Sequence, residues 1–424
     1  MKKEYDVAVI GGGPAGMASA LAADREGASV ILLEKDKALG GRLNQCIHNG
    51  YGQSIFNKDL TGTEYANKLI ELINNSCVEY LLNTEVTEIS LDKKISCINF
   101  GKRFQINAKS IVLSTGCREK AFDYLIDKKG IYTAGQAQRI INLEGKKIGE
   151  NAVVLGSDDL ALIVARRLIY EGAKVLCVVE PAPYPSASIK NISYCLSDYG
   201  IPLCLNSHIQ SIEGEEKVEG VHIVTDTKNG QKKEFIPCDT LIVSMGLQPQ
   251  YELLDKLNIE KENLTNTAVI DQKRQTSIEG FFLTGDALII HSSIADITFE
   301  GEVAGKNAAL YAKEQSESKN SISVEVESSD LIEYALSHNN IISVKVKSSN
   351  LIEYALPQRI NTLDHKVKIY FRVKKTLRDA RLDIFSQDEL IYAKKFVVIS
   401  PEELVEAEVN IQGVKGNLTI SMEA

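Results

Sequence analysis

A strand, a glycine-rich turn, a helix and a second strand ending in an acid occur twice in these 424 residues, at 5–34 and at 151–180, and alternating strands dominate beyond residue 320. These observations predict an α/β chain of two Rossmann-like units, the second inserted in the first, with a C-terminal all-β domain resembling a β-sandwich. The outer unit is expected over 1–120 and 251–315, the insert over 121–250 and the β domain over 321–424. Apolar residues make up 44% and charged residues 25%, an ordinary globular balance.

Charge and cysteine usage narrow the class further. A net charge of −9 offers no broad basic surface to a nucleic-acid backbone. The eight cysteines are scattered without a C-x-x-C pair, which reads as a reducing cytoplasm rather than a secreted disulfide framework. The N-terminus lacks a signal-peptide core, and no apolar run is long enough for a transmembrane helix. No metal-ligand spacing is visible.

The run Tyr5–Ile10 (YDVAVI) reads as a buried strand, followed by Gly11-Gly12-Gly13-Pro14-Ala15-Gly16, a helical stretch from Met17 to Glu26, and a strand from Ser29 to Leu33 ending at Glu34. Together they form a dinucleotide-binding fingerprint. Gly11 permits the tight turn, Gly13 lets main chain approach a pyrophosphate, and Gly16 clears the helix–strand crossing. The helix start, at Pro14 and Ala15, offers free N–H groups to phosphate. Glu34, with Lys35 beside it, is placed to accept from a ribose hydroxyl. A glycine-rich turn without a ligand is the plain alternative.

The second copy keeps the architecture but not the glycines. Asn151–Leu155 is a strand, Gly156 opens the turn, and a helix runs to Tyr170, where Gly172 follows; Lys174–Val179 ends at Glu180. Asp158 and Ala161 occupy the second and third glycine positions. Asp158 places a side chain and a negative charge where a pyrophosphate would approach, and it can cap the helix instead. Either the unit has lost NAD(H) or it holds NAD(H) in an altered pose. The sequence favours loss.

With Gly41-Arg42, Ser114-Thr115-Gly116 and the late strand Gly280–Ala287 carrying Gly285-Asp286, the chain resembles the pyridine nucleotide–disulfide oxidoreductase superfamily. The resemblance implies FAD in the first unit, a carboxylate from Asp286 at the ribityl or phosphate region, and a last helix beginning between Glu300 and Gly305 near the flavin. The segments 40–52 (GGRLNQCIHNGYG), 60–66 (LTGTEYA), 115–119 (TGCRE) and 199–203 (YGIPL) resemble a bacterial branch thought to work beside a glycerol-3-phosphate-dehydrogenase-like flavoprotein and a small cysteine-rich protein. The FAD subunits of heteromeric sarcosine, opine and proline dehydrogenases are more distant relatives. The branch implies two partners, a small redox carrier and a second flavoprotein subunit. A homo-oligomer stays open.

Cys46, His48 and His291 are the catalytic candidates. Cys46 has no second cysteine nearby, so it is a lone thiol beside the flavin or a packed apolar residue rather than half of a dithiol. Arg42, Asn44, Gln45, His48 and Asn49 either bind the flavin edge or an anion, or satisfy their own loop. His48 can act as an acid/base. His291 follows the late Gly-Asp and serves a substrate or packs its loop. Cys195 and Cys204 read as core residues.

The stretch Glu314–Asn320 (EQSESKN) is expected to be a polar linker. Beyond it, VEVESSDLIEYAL (324–336) and VKVKSSNLIEYAL (344–356) form a two-copy repeat that pairs as equivalent strands or includes a tolerated insertion. The β domain holds partner subunits or stabilises its own chain. Three functions fit: an FAD-dependent subunit relaying electrons to a partner redox protein, which we favour; a self-contained NAD(P)H-dependent flavin enzyme with an atypical nicotinamide site; or a subunit whose FAD is structural.

Overall fold

The computed structural model describes residues 4–120, 128–261, 267–291, 293–320, 341–346, 351–361, 366–399, 405–412, 414 and 417–424. Two compact units result. One comprises 1–43, 49–116 and 249–424, the other 44–48 and 117–248.

In the first unit, β1 (Glu4–Ile10) is central in a seven-stranded sheet. It pairs in parallel with β2 (Val30–Leu33) and with the far half of Lys102–Leu113. Phe281–Leu283 and Glu79–Leu81 extend the parallel part. Val7 to Ile10 are all buried because both sheet faces are covered, which is why the strand reads as a continuous apolar run. Lys102–Leu113 also pairs antiparallel with Lys94–Asn99, which pairs with Thr84–Ile89. The helix α1 (Pro14–Arg25) joins β1 to β2.

The last helix, Ile294–Asn320, is longer than expected at both ends. Its first turn is already fixed at Ser293, whose Oγ accepts from the Ala295 N–H at 3.1 Å. The expected linker 314–320 is its final turns: Gln, Glu, Ser and Lys are compatible with a helix, and their polarity does not end one. This helix crosses α1 at two glycines. A Cβ on Gly301 would overlap the Ala15 carbonyl, and one on Gly305 the Ser19 carbonyl. Ser19 Oγ donates to Gly301 O at 2.9 Å.

The C-terminal region is a two-sheet β structure. A five-stranded sheet runs Arg359–Asn361, Ile341–Val346, Leu418–Glu423, Leu377–Ser386, Glu389–Ile399; a three-stranded one runs Ile352–Leu356, Lys366–Val373, Val405–Asn410. Ile369, Phe371, Leu382, Ile384, Val409 and Ile420 share its core. The first repeat copy, 324–336, lies outside the described residues. The second contributes strands to two different sheets.

The second unit has a five-stranded parallel sheet, ordered Ile131–Thr133, Thr240–Val243, Asn151–Leu155, Lys174–Val179, Leu203–Cys204. An antiparallel sheet of Ser207–Glu213, Gly220–Thr227 and Gly230–Ile236 follows. The α/β order and the C-terminal all-β region are those the sequence predicts.

Candidate functional site

In the first unit β1, β2 and Lys102–Leu113 end together, so the segments after them share one crevice. Gly11 (φ +105°) turns under Ser114, whose Oγ donates to Ile10 O and Gly11 O, both at 2.9 Å. A Cβ on Gly16 would overlap the Gly11 carbonyl, and a Cβ on Gly12 would press on Leu39 and Glu34. Gly13 differs: a Cβ there meets nothing within 4 Å. Gly13 is also the N-cap of α1, Pro14 opens the helix, no side chain caps it, and its first turn carries no acid. The turn is thus closed behind and open in front, with unpaired N–H groups at the opening, and it fits a pyrophosphate.

Glu34 is buried and held by two N–H donors. Gly12 N donates to Oε2 at 2.5 Å and Asp36 N to Oε1 at 2.7 Å. Burial raises its pKa, and the N–H groups of Asp36 and Gly12 oppose the rise. Each carboxylate oxygen keeps acceptor capacity for a ribose hydroxyl. Lys35 is exposed next to it. Gly41 (φ +54°) lies against Gly13: a Cβ there would be 3.1 Å from the Gly13 Cα. Arg42 follows, exposed, in the short helix Gly41–Gln45.

The remaining predicted residues of this unit surround the same crevice. Thr115 Oγ1 donates to Gln250 O, and Gln250 N donates to Gly116 O at 2.9 Å, fixing the loop after Ser114. Gly285 (φ +62°) begins a turn close to Ala15, where a Cβ would come within 2.7 Å of the Ala15 Cβ. Asp286 therefore stands near the start of α1. Its Oδ1 accepts from His291 N at 3.0 Å and lies 3.3 Å from His291 Nδ1. The His291 side chain is 1% exposed and its Nε2 has no hydrogen-bond partner among the described residues. Cys46 and His48 belong to the segment 44–48, which clusters with the second unit. Asn142 Nδ2 donates to Gln45 O there at 2.8 Å.

The equivalent crevice of the second unit is filled by its own side chains. Asp158 caps the helix Asp159–Tyr170, with Oδ1 accepting from Ala161 N at 2.8 Å. Ser244 Oγ lies 2.8 Å from both Asp158 oxygens. Burial raises the Asp158 carboxyl, against the bonds from Ala161 and Ser244. Glu180 accepts from Ser157 Oγ at 2.5 Å and from Ala182 N at 2.8 Å. Asp159 accepts from Ser188 N, Ser188 Oγ and Asn191 Nδ2. The helix start that is bare in the first unit is capped here. Sequence reasoning missed Ser244, since nothing in its local sequence ties it to Asp158. It also missed Gly301 and Gly305, although the G-x-x-x-G spacing was visible. Among the described residues no cluster of three or more His, Cys, Asp or Glu is arranged to hold a metal ion, and no helix is long and apolar enough to cross a membrane.

The sequence model of the pyridine nucleotide-disulphide oxidoreductase family matches residues 5–309. An opine oxidase subunit from Rhizobium meliloti is 26% identical over 345 residues, covering 74% of this chain and 63% of that protein, so the chain spans less than two thirds of that relative. Thioredoxin reductase of Listeria monocytogenes is 26% identical over 333 residues, covering 75% of this chain and 97% of that protein. The crystal structure of T. acidophilum thioredoxin reductase superposes with a TM-score of 0.61 at 22% identity, over 74% of this chain and all of that one (100%), a likeness of fold.

Proposed function

We propose that this chain, which belongs to the pyridine nucleotide-disulphide oxidoreductase family, is a subunit that relays electrons between its FAD and a partner redox protein in a heteromeric dehydrogenase. It is an FAD-dependent oxidoreductase. The observation that carries the finer reading is the capped second crevice. Asp158 takes the helix N–H that a nicotinamide dinucleotide's phosphates would need, and it repels them. Electrons then enter or leave by a route other than NAD(P)H, which calls for a second redox protein. The likeness to an opine oxidase subunit supports that arrangement.

When bound, FAD supplies two-electron redox chemistry. The chain's residues hold and orient it. The N–H groups at Gly13 and the start of α1 receive the pyrophosphate, Glu34 receives a ribose hydroxyl, and Asp286, Thr115, Gly116, Gly41 and Arg42 complete the cradle. His291, oriented by Asp286, holds a proton-accepting or proton-donating Nε2; Cys46 and His48 are the further candidates on the 44–48 segment. A small-molecule substrate is part of the reading, and its class is left open.

A second reading has more support from the comparisons: a self-contained NAD(P)H-dependent flavin enzyme. The thioredoxin reductase it resembles is matched over 97% of its length. Stopped-flow mixing of the FAD-loaded protein with NADH and NADPH separates the two. No flavin bleaching on the turnover timescale supports the relay, and rapid bleaching by either nucleotide overturns it. Structural FAD remains the third arrangement. A flavin that changes redox state during turnover with its partner excludes it.

A further inference from the structure

Three of the eight cysteines converge in the second unit, away from both crevice turns. Cys177 lies in Lys174–Val179, Cys204 in Leu203–Cys204, and Cys238 precedes Thr240–Val243. Val179 pairs with Cys204 in parallel register. Cys177 is two residues before Val179, so Cys177 and Cys204 leave the same face of the sheet. There they pack with Cys238, Val221 and Ile223. The Cys177 and Cys204 thiols hydrogen-bond to each other.

The two thiols are not equivalent. Cys177 is 2% exposed, whereas Cys204 is only half-buried. Leu203–Cys204 is the edge strand of its sheet, so no further strand covers Cys204 on that side. Ionising the deeper sulfur costs more. Cys177 therefore keeps its proton and donates it, and this donation lowers the Cys204 pKa against the opposing effects of burial and Glu234. Lys232, on the same strand as Glu234, also favours the Cys204 thiolate. Cys204, burial, Cys238 and Glu234 all hold the Cys177 proton in place.

We propose that Cys204 is a thiol-modification site: its thiolate, held by the Cys177 S–H, exchanges with a small-molecule disulfide to form a mixed disulfide. The Cys204 sulfur attacks one sulfur of R–S–S–R. One S–S bond forms, one breaks, and R–S⁻ leaves with the electron pair. The Cys177 proton stays on Cys177. A Cys177–Cys204 bridge is not the product. Their two-residue offset on paired strands sets the Cα atoms roughly 8 Å apart, beyond the reach of a disulfide without backbone movement. The adduct sits one ladder bond from the second crevice, since Glu180 N donates to Cys204 O at 2.8 Å. The proposal is independent of the relay reading, because it concerns a different group and a different chemistry.

The test uses the full FAD-loaded chain and oxidised glutathione, with adducts located by peptide mass spectrometry. A pH series with a dipyridyl disulfide gives the rate at Cys204. The expected result is an adduct on Cys204, lost in Cys204→Ser, with a rate midpoint below that of an ordinary thiol. Cys177→Ala moves that midpoint upward and slows labelling at pH 7 by about tenfold for each pKa unit of the move. The proposal is overturned if Cys204 stays unmodified while the exposed Cys77 reacts, or if Cys177→Ala leaves the midpoint in place. Should Cys177→Ala fail to fold, the unsubstituted protein still decides: a Cys204 midpoint at or above about 8.5 contradicts the assignment.

Discussion

Gly13→Ala separates cofactor binding from folding at a single methyl group. Gly13 has φ −73°, which any residue adopts, and a Cβ there meets no atom within 4 Å. The folded chain can accept the methyl. Alanine is a poorer N-cap than glycine by some tenths of a kcal/mol, and it returns about 0.4–1 kcal/mol through the unfolded chain. Stability without cofactor is therefore expected to move by less than about 1 kcal/mol. The open front of the turn is where a pyrophosphate must touch main chain. Displacing one charge-assisted hydrogen bond there costs about 1.5–3 kcal/mol, which weakens FAD binding roughly ten- to hundredfold. The assay is a fluorescence titration of flavin-stripped protein with FAD, alongside thermal melts of both proteins without cofactor. Unchanged affinity, or a melting temperature without cofactor that falls as far as the affinity loss implies, would refute the reasoning.

Other substitutions have opposite or larger signatures. Gly16→Ala overlaps the Gly11 carbonyl, so it is expected to destabilise the chain with or without FAD by about 1–3 kcal/mol or more, read by chemical denaturation. Asp158→Ala removes the acceptor of Ala161 N and Ser244 Oγ and should cost about 1–2 kcal/mol, while Asp158→Asn keeps an acceptor and costs less. Arg274 and Glu300 form a buried, doubly hydrogen-bonded ion pair; Arg274→Ala leaves a buried carboxylate alone and should cost about 3–5 kcal/mol in a urea melt. Burial alone would raise the Glu300 carboxyl, but Arg274 holds it below its ordinary 4.5. Its contribution is therefore present above pH 4.5 and lost as pH falls through the lower folded value. Glu300→Gln should flatten that acid limb of stability against pH, and an unchanged limb would count against the pairing.

The parts of this fold that follow a local rule were readable from the chain. Tyr5 to Glu34 carried strand, turn, helix and acid within one stretch, so the first crevice was legible down to Gly13. Asp158 was legible as an obstruction for the same reason. Long-range partners were not: Ser244 reaches Asp158 only because the Thr240–Val243 strand lies beside Asn151–Leu155. The hairpin Leu377–Ser386/Glu389–Ile399 turns at Gln387 and Asp388, both with positive φ but without the Asn-Gly signal that marks such turns. The polar tail of the last helix was misread because polarity reports exposure, whereas helix formation needs only compatible residues and a preceding helix to extend.

The two crevices differ by one carboxylate, and a crystal structure of the FAD-loaded protein grown with millimolar NADH reads that difference directly. Asp158 still bonded to Ala161 and Ser244, with no dinucleotide density at the second turn, is the predicted result. A nicotinamide dinucleotide seated there, with the Asp158 side chain swung aside, would contradict the loss of that site.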